Sequence, residues 1–575
     1  MALPQPSAPG LPIPNAPHAV SVQLSSWKNV CGVALGETQV LSILKNGYPR
    51  SFLHKDVQAL FRACETKFAP GGGLKVMLFS SPRAAEACKS YIASVERHKQ
   101  QGDISDWIAL TSLGWEPFSP PQSQSNLPML YAVTYPEGWH ATATTFWRLA
   151  GLGISSRLSE KCLERVETMR KMESMPRSLS HNDTEVYSIL QSRIATLIER
   201  AAITDRPKKV AASDVHLYPS GMAAIYTIHQ MLLRWRGAES AIVGFPYELT
   251  IKMLETYGPR YSFYSAGTDR EIDLLEAHLE QLASTGQKLQ AVWCECPSNP
   301  LLRTIDLDRI RRLATKYDFV VVVDDTIGSY ANVDVLDIAD IVITSLTKSF
   351  NGFADVLAGR QVLHLPRTST KQLTSIVNSA ILNPNSPYHS TFHSLLHSPS
   401  SSNNNSTLYL MDAIQLELNS RDFLTRTATT NTTAEYLVDT LIPHTLRPNS
   451  PISTIYYPKH CWSAPNYRRR MRRPTPDFVP GYGYLFTLEF KSVGGATAFL
   501  DALEVHKGPS IGAHVTLALP YVQMVMQREK KWAEGHGLRE SIVRISVGLE
   551  DKEALAGAFG VALREAERVM DDYCD

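Results

Sequence analysis

The chain repeats short apolar runs of strand length, and amphipathic segments of helical period separate these runs. The run at residues 319–323 is Phe-Val-Val-Val-Val, and a continuous β-branched run is typical of a parallel strand buried on both faces. Because strand and helix patterns alternate from about residue 185 to about residue 425, they predict a βαβ series and a mostly parallel sheet. Further strands of this sheet are predicted to end near residue 217 and to occupy residues 241–243, 291–294 and 341–344.

The same patterns divide the chain into three regions. The first looks partly folded, since residues 74–79 are typical of a strand and residues 83–95 of a helix. The last combines strands such as residues 484–490 with helices such as residues 552–572. The predicted division is residues 1–180 as an N-terminal extension, residues 181–425 as the large domain, and residues 426–575 as a smaller α/β domain.

A lysine, Lys348, follows the strand at residues 341–344 and lies in a glycine-bearing loop. A lysine just past a buried strand is where an enzyme would hold an aldehyde cofactor as a Schiff base. The neighbouring hydroxyl residues Ser345 and Thr347 are placed to bind the phosphate of such a cofactor. A strand-end lysine that points into water is the ordinary alternative, and the other strand ends decide between the two.

Two of those strand ends carry polar residues suited to an aromatic cofactor. Asp324 follows the run at residues 319–323, and ligands of open α/β sheets gather at the carboxyl ends of strands. An acid there can pair with the ring nitrogen of pyridoxal phosphate (PLP), which makes the ring an electron sink; a turn or a helix cap is the alternative. Asn299 lies in a Pro-Ser-Asn-Pro turn, where its amide can reach the ring oxygen or simply form the turn.

Two more strand ends complete the series. Ser220, Gly221 and Met222 open a predicted helix, whose free N–H groups and dipole favour a phosphate, although capping alone also explains the serine. Tyr247 follows the strand at residues 241–243 and can stack on a flat heterocycle or pack in the core.

The order of these segments resembles the Cys/Met-metabolism family of PLP-dependent enzymes, which includes cystathionine γ-synthase, cystathionine lyases and homoserine sulfhydrylases. The resemblance covers roughly residues 180 to 575. It implies PLP as the cofactor and an α/β architecture of the PLP-dependent transferase fold type I, with a seven-stranded, mostly parallel sheet in the large domain. The matching segments are Ser220-Gly221-Met222, Tyr247, residues 297–303, residues 323–326, residues 345–359 and residues 543–551.

The resemblance also assigns roles to single residues. It implies that Lys348 holds PLP and acts as general base, that Asp324 pairs with the ring and that Tyr247 stacks on it. Arg544 would grip the α-carboxylate of an amino-acid substrate, because a guanidinium fork matches a carboxylate. Ser510 would lie in the family's serine loop beside the Schiff base.

Three departures from the family pattern stand out. Asp325 occupies a position where most members have asparagine, and the serine loop has one glycine and no acid close behind it. Bacterial members also carry a Tyr-x-Arg pair near the N-terminus that reaches across a dimer to the neighbour's phosphate. Arg157 and Arg177 are candidates for that arginine, and a solvated charge is the alternative for each.

The implied reaction is γ-substitution on an O-acylhomoserine. Residues 18–22 and 46–50 resemble the extension of fungal cystathionine γ-synthase-like proteins, which favours cysteine as the nucleophile and cystathionine as the product. Elimination, sulfide addition and carbon-nucleophile addition use the same cofactor residues and remain open. A PLP-binding protein without catalysis is a more distant alternative.

Composition fits this hypothesis. The formal net charge is +1, which favours neither nucleic acid nor an anionic membrane as a partner. No apolar stretch reaches the ~20 residues that span a bilayer. No lysine or arginine precedes Lys28, which argues against a secretory or transit peptide and favours the cytoplasm. We expect small amino acids as substrates and a homodimer or homotetramer.

The remaining sequence features point to structural roles. The eight cysteines lack paired metal-ligand spacing, so we expect no metal, and Cys294 and Cys296 are predicted to be structural. The basic run at residues 468–473 is predicted to be a solvated insertion loop, with an anion-attracting patch as the alternative. Residues 398–406 are predicted to form a mobile polar loop.

Overall fold

The structure is a computed structural model that describes residues 8–49, 51–100, 104–115, 127–172, 185–356, 379–397 and 408–571. Three features predicted from the sequence lie outside these residues. They are Arg177, the polar loop at residues 398–406 and the last three residues of the segment 345–359.

The N-terminal region forms an antiparallel sheet with strand order β1-β3-β2-β4 among the described residues. The predicted strand at residues 74–79 is confirmed as β1, and the predicted helix at residues 83–95 is longer, spanning Pro82–Gln100. The strands are Leu74–Phe79, Ala109–Trp115, Leu130–Pro136 and Met169–Lys171 (β1 to β4). The helices are Trp27–Leu35, Thr38–Ile43, Lys55–Phe68, Pro82–Gln100, His140–Ala150 and Ser156–Leu163 (α1 to α6), with 3-10 turns at Ser105–Trp107, Glu137–Trp139 and Val166–Thr168.

The predicted parallel sheet is confirmed, and within the described ranges it has seven strands in the order β5-β11-β10-β9-β8-β6-β7. All of its pairings are parallel except those of β11, which runs antiparallel to both neighbours. The strands are Val215–Leu217, Ser240–Val243, Tyr261–Tyr264, Ala291–Glu295, Val320–Asp324, Ile341–Thr344 and Ser379–Leu382 (β5 to β11).

Amphipathic helices flank this sheet. In the helix Leu307–Tyr317, the buried residues Leu307, Ile310, Leu313 and Ala314 recur at helical spacing and face the sheet, as a surface helix requires. The helices are Glu185–Glu199, Gly221–Trp235, Glu248–Tyr257, Asp269–Ser284, Leu307–Tyr317, Ser329–Asn332, His389–His397, Leu410–Asn419 and Phe423–Thr445 (α7 to α15), with a 3-10 turn at Ala212–Asp214.

The C-terminal region has its own sheet, with strand order β12-β13-β16-β15-β14 among the described residues. Helices α17 and α20 cover it, and Phe499 of α17 packs against Phe559 of α20 with ring centroids 5.8 Å apart. The strands are Ile452–Tyr456, Leu485–Phe490, His506–Lys507, Leu517–Pro520 and Ile542–Ser546 (β12 to β16). The helices are Ala464–Arg470, Val493–Ala502, Tyr521–Val525, Lys530–Gly535 and Lys552–Asp571 (α16 to α20).

The N-terminal region is packed onto the large sheet's helices by a continuous apolar core. Phe146 of α5 lies 6.1 Å from Tyr226 of α8, and Tyr91 of α4 lies 5.3 Å from Tyr257 of α9, measured between ring centroids. The buried apolar residues on both sides of this contact belong to one cluster. The division of the chain into three regions at residues 180 and 425 stays a prediction. The shared core extends across the first of these boundaries.

The basic run at residues 468–473 is only in part the predicted solvated loop, since Arg468, Arg469 and Arg473 are exposed but the run begins in helix α16. Arg470 and Arg472 are 6% and 4% exposed. Arg470 pairs with Asp337 at 2.8 Å, and Arg472 donates to the carbonyl oxygen of Val333 at 2.9 Å. Arg470 and Arg472 are therefore buried structural residues that join the C-terminal region to the large sheet, whereas the other three arginines face solvent.

No helix in the described ranges is long and apolar enough to cross a membrane.

Candidate active site

The predicted site residues meet in one cavity at the carboxyl end of the large sheet. Neighbouring strands end at the same level there, since Glu295 of β8 and Ile343 of β10 both pair in register with Asp324 of β9. The cavity is lined by Ser220, Gly221, Met222, Tyr247, Asn299, Asp324, Ser345, Thr347, Lys348 and Arg544, all of which the sequence predicted. Their chemical roles stay predictions.

Lys348 is buried in this cavity and has a partner that the sequence analysis missed. Its Nζ lies 3.0 Å from the hydroxyl oxygen of Tyr48, which belongs to the N-terminal extension of the same chain. The sequence Tyr48-Pro49-Arg50 fits the Tyr-x-Arg pattern that could not be placed with Arg157 or Arg177. The structure brings this tyrosine to the lysine within one chain.

Arg157 lies elsewhere. Its guanidinium donates to the carboxylate of Asp412 at 2.9 Å and to the carbonyl oxygen of Asp355 at 2.7 Å. Arg157 does not line the cavity, and its ion pair attaches the N-terminal extension to the large domain.

Arg426 and Gly512 both contact the backbone of the loop that contains Lys348. Arg426 of α15 donates to the carbonyl oxygens of Ser349 and Phe350, at 3.0 and 3.2 Å. On the other side lies Gly512, whose φ of +73° is in the left-handed region. A Cβ at Gly512 would stand 2.5 Å from the backbone nitrogen of Ser349 and 2.8 Å from the carbonyl carbon of Lys348. The serine loop therefore needs a glycine at this position.

The start of helix α8 has the form of a phosphate cradle. The Oγ of Ser220 accepts the N–H of Ala223 at 3.1 Å and donates to the carbonyl oxygen of Gly151 at 2.9 Å. A Cβ at Gly221 would stand 3.2 Å from the side chain of Ser345, so glycine keeps this space open. The remaining N–H groups at the start of this 15-residue helix are available to an anion.

A pair of carboxyl groups lies where the cofactor ring would be held. Burial raises the pKa of Asp324 to about 6, against hydrogen bonds from Thr326 that lower it. Burial and the neighbouring Asp324 also raise the pKa of Glu295, although Glu295 accepts the backbone N–H groups of Tyr247 and Asn299 at 2.7 and 2.9 Å. Two buried acids favour a cation beside them, and a protonated pyridine nitrogen is such a cation.

Asp325, which replaces the family's usual asparagine, points away from the cavity. It is buried, accepts a hydrogen bond from the hydroxyl of Thr344 and does not line the cavity. Burial raises its pKa to about 7, and the charge of Arg472 opposes that rise. The positive charge of the buried Arg472 thus partly offsets the cost of burying the Asp325 carboxyl, which stands where most family members have asparagine.

Arg544 lies across the cavity on strand β16. Its guanidinium donates to the Oδ1 of Asn299 at 3.1 Å and to the carbonyl oxygen of Pro509 at 2.9 Å. Asn299, predicted to reach the cofactor's ring oxygen, is therefore hydrogen-bonded to the predicted carboxylate-binding arginine. The guanidinium carbon lies over the ring of Tyr521, 5.1 Å from its centroid, at a distance that allows a cation–π contact.

Ser510 is the predicted residue that does not line the cavity, although its neighbours Pro509 and Ile511 do. The residue is 1% exposed, and its Oγ has no hydrogen-bond partner among the described residues. The structure therefore keeps Ser510 next to the site without placing its hydroxyl in it.

The wall of the cavity also contains charged residues that sequence reasoning missed. Glu248 is buried and accepts the hydroxyl of Tyr521 at 3.3 Å. Burial raises the pKa of Glu248, and the positive charge of Arg148 opposes this. Arg148 is an exposed residue of α5, so the N-terminal extension supplies part of this wall.

Comparison with known proteins identifies the family. The model of the Cys/Met metabolism PLP-dependent enzymes matches residues 184–564, and that of the fungal trans-sulfuration enzyme N-terminal domain matches residues 56–155. The chain belongs to the Cys/Met metabolism PLP-dependent enzymes. PLP is therefore its cofactor, and the phosphate cradle, the carboxyl pair and the buried lysine all fit that group.

Two curated relatives extend over nearly the whole chain. An alanine racemase of Aspergillus violaceofuscus is 39% identical over 99% of this chain and 98% of its own length. A cystathionine γ-synthase of Neurospora crassa is 32% identical over 97% of this chain and 98% of its own length. The family therefore includes relatives with different named activities.

A solved structure supports the fold. Cystathionine γ-lyase from Lactobacillus plantarum superposes with a TM-score of 0.51 at 17% identity, and the match covers 69% of this chain and 92% of that one. The type I fold predicted from the sequence is thereby confirmed.

Gly512→Ala is expected to disturb the lysine loop. The added methyl group would displace the backbone of Lys348 and Ser349, and a displacement of this size costs turnover on the order of 100-fold. Steady-state turnover and the visible absorbance of bound PLP measure the effect. Gly537→Ala is the matched control, because its φ of +84° is also left-handed and a Cβ there has no atom within 4 Å. Equal turnover in both variants would contradict the proposed constraint.

Asp325→Asn is expected to flatten the pH dependence of stability. The pKa of Asp325 is about 7 in the folded chain against an ordinary 3.8. Between these two pKa values the folded state binds a proton that the unfolded state has lost. The free energy of unfolding therefore falls as the pH rises through this range. From about pH 5.5 to about pH 8.5 the wild type should lose roughly 2 kcal/mol more than Asp325→Asn. Urea unfolding of the cofactor-free proteins measures this.

The control for that measurement is Asp205→Asn, which changes an exposed aspartate. It should retain the wild-type dependence on pH. If Asp325→Asn and the wild type lose the same free energy over this range, the Asp325 carboxyl is ionised throughout and the interpretation fails.

Proposed function

We propose that this enzyme catalyses γ-substitution on an O-acylhomoserine with cysteine, giving cystathionine. The observation that carries the proposal is the presence of two opposite charges, Glu248 and Arg148, in the wall of the same cavity as Arg544. We further propose that this enzyme is a transferase located in the cytoplasm and that it acts as a homodimer or homotetramer.

The substrate amino acid is held by its α-carboxylate. The Arg544 guanidinium is already oriented by Asn299 and stacked on Tyr521, so its fork is preorganised for a carboxylate. When bound, PLP withdraws electrons from the Cα of the attached amino acid and so acidifies its C–H bond. Asp324 provides the negative charge that keeps the ring nitrogen protonated.

Lys348 is the base that removes the Cα proton once its amine is free. Tyr48, 3.0 Å from Nζ, orients that amine and can exchange a proton with it. In γ-substitution the amine must first give up the Cα proton, and it can then take a proton from Cβ and allow the γ-acyloxy group to leave as a carboxylate. Tyr247 lines the cavity, where it would pack against the cofactor ring.

The charges of Glu248 and Arg148 fit a second amino acid. Incoming cysteine has an ammonium group and a carboxylate in addition to its thiol. Glu248 and Arg148 present one charge of each sign at the cavity wall, which matches such a zwitterion. A nucleophile that carries only a methyl group in place of the ammonium and carboxylate groups would interact with neither charge.

Alanine racemisation is a second candidate, and the 39% identical alanine racemase favours it. This reaction needs only the removal of the Cα proton and its return to the opposite face. Lys348 and Tyr48 are two proton carriers in contact, and either can serve in that exchange. The two candidates share the first chemical step and differ in the later ones.

A product assay with Lys348→Ala tests the proposal. The holoenzyme is incubated with O-acetylhomoserine or O-succinylhomoserine, with cysteine, sulfide or no nucleophile, and separately with L-alanine in D₂O. Cystathionine formed only with cysteine is the expected product. Lys348→Ala should lose both turnover and the visible absorbance of lysine-bound PLP, whereas Lys316→Ala, an exposed control, should keep both.

The other products separate the alternatives. Deuterated D-alanine without cystathionine would establish racemisation in place of γ-substitution. Ketobutyrate alone would indicate elimination. Turnover by Lys348→Ala without added amine would contradict the assignment of the lysine.

Glu248→Gln tests the nucleophile pocket. The substitution keeps the size and the contact with Tyr521 but removes the charge offered to the ammonium group of cysteine. The KM for cysteine should rise about tenfold, while ketobutyrate formation without nucleophile stays unchanged. Glu255→Gln, an exposed change on the same helix, is the control. An equal loss in both reactions would place Glu248 in a structural role.

A further inference from the structure

Arg157, one of the two arginines considered for a phosphate contact, lies outside the cavity and has acidic partners in the large domain. It belongs to the first turn of helix α6, where the helix dipole disfavours a positive charge. Its side chain is nevertheless only 13% exposed, and it pairs with Asp412 of α14, whose side chain is fully buried. A cation buried at this end of a helix depends on partners from elsewhere in the fold.

The second acidic partner of Arg157 belongs to the loop that contains Lys348 (the lysine loop, residues 345–356). Nη1 of Arg157 donates to the carbonyl oxygen of Asp355 at 2.7 Å. Nη2 lies 3.5 Å from the carboxylate of the same aspartate. One arginine of the N-terminal extension thus contacts both the backbone and a side chain of the lysine loop.

The extension also binds the residue that precedes Asp355. The backbone N–H of Val20 donates to the carbonyl oxygen of Ala354 at 2.7 Å. Ala354 has a φ of +50°, in the left-handed region that residues other than glycine rarely adopt. Such a conformation persists only where the surrounding structure holds it. The extension therefore binds two adjacent carbonyl groups at the point where the backbone of the lysine loop is least favourable.

Buried hydrogen bonds connect Asp355 to Lys348. Nδ2 of Asn419 donates to Oδ1 of Asp355 at 2.9 Å and to Oδ1 of Asn351 at 2.7 Å. Asn351 is completely buried, and the next residue, Gly352, donates its N–H to the carbonyl oxygen of Lys348 at 2.8 Å. Because a buried polar group left without a partner is costly, a movement at Asp355 displaces this whole set of contacts.

We propose that Arg157 is a positioning residue that holds the lysine loop, and with it Lys348, from the N-terminal extension. Arg157 does not line the cavity, and it acts through Asp355 and Asn351. The inference rests on the proposed role of Lys348, which Lys348→Ala tests separately. The extension is then part of the active-site architecture, since it fixes the far end of the loop that carries the base.

The test removes the contact of Arg157 with the loop without leaving a buried charge. Arg157→Met/Asp412→Leu replaces both members of the buried pair by apolar residues, a change that folded proteins commonly tolerate. The matched control is Arg193→Met/Glu417→Leu, since Arg193 pairs with Glu417 on the same helix α14. Among the described residues, Arg193 donates to Glu417 and Ser420 and to no residue of the lysine loop.

Two measurements report on the lysine loop whatever reaction the enzyme catalyses. In the cofactor-free protein, hydrogen exchange of the amides of residues 348–352 should be about tenfold faster in Arg157→Met/Asp412→Leu than in the wild type. PLP should leave the variant holoenzyme faster by a similar factor, about that of a lost hydrogen bond to a charged group. In steady state kcat should fall while the KM of the amino acid bound by Arg544 stays unchanged, because Arg544 lies on another strand.

A second variant, Asp355→Asn, removes only the charge on the loop side and leaves the Arg157–Asp412 pair in place. It should change hydrogen exchange and PLP release in the same direction. Arg193→Met/Glu417→Leu should behave like the wild type in every measurement. Wild-type exchange and PLP release in the Arg157 variant would overturn the proposal. An equal change in the Arg157 and Arg193 variants would also overturn it, since Arg157 would then only attach helix α14.

Discussion

Strands β8, β9 and β10 end at the same level, and this shared edge determines where the other site residues lie. Because these strands are parallel and in register, Glu295, Asp324 and the loop after Thr344 leave the sheet at one edge. The β-branched residues that fill both faces of the sheet fix that register through burial, since a slip of one residue would turn each side chain to the other face. The core thus sets where Lys348 and the carboxyl pair leave the sheet, and the contacts of Arg426 and Tyr48 then hold the lysine in place.

Much of this arrangement could be predicted from the sequence. Each strand end is marked by an apolar run followed by a polar residue, and Ser220, Tyr247, Asn299, Asp324 and Lys348 were found in this way. The strand at Ile341–Thr344 has the predicted bounds, because a short β-branched run followed by a polar loop has few other solutions. A local sequence pattern therefore predicts a site residue well when the same short segment contains both the buried strand and the functional residue.

The rest depends on contacts between distant segments, which no local pattern contains. Tyr48 lies 300 positions from Lys348, and its short motif was visible but had no predicted neighbour. Glu248 looked like any residue in the first turn of a helix, and Arg148 like any surface arginine. The basic run at residues 468–473 was misjudged for the same reason, since its acidic partners Asp308, Asp334 and Asp337 come from another region.

The hydrogen bond from Ser220 to the carbonyl oxygen of Gly151 limits which residues the extension tolerates. Gly151 ends a helix of the extension with φ of +66°, and a Cβ there would collide with Ser220. The extension therefore meets the phosphate-binding turn through backbone that tolerates no side chain. A substitution at Gly151, in the extension, would therefore disturb the phosphate-binding turn of the large domain, although the two residues are 69 positions apart.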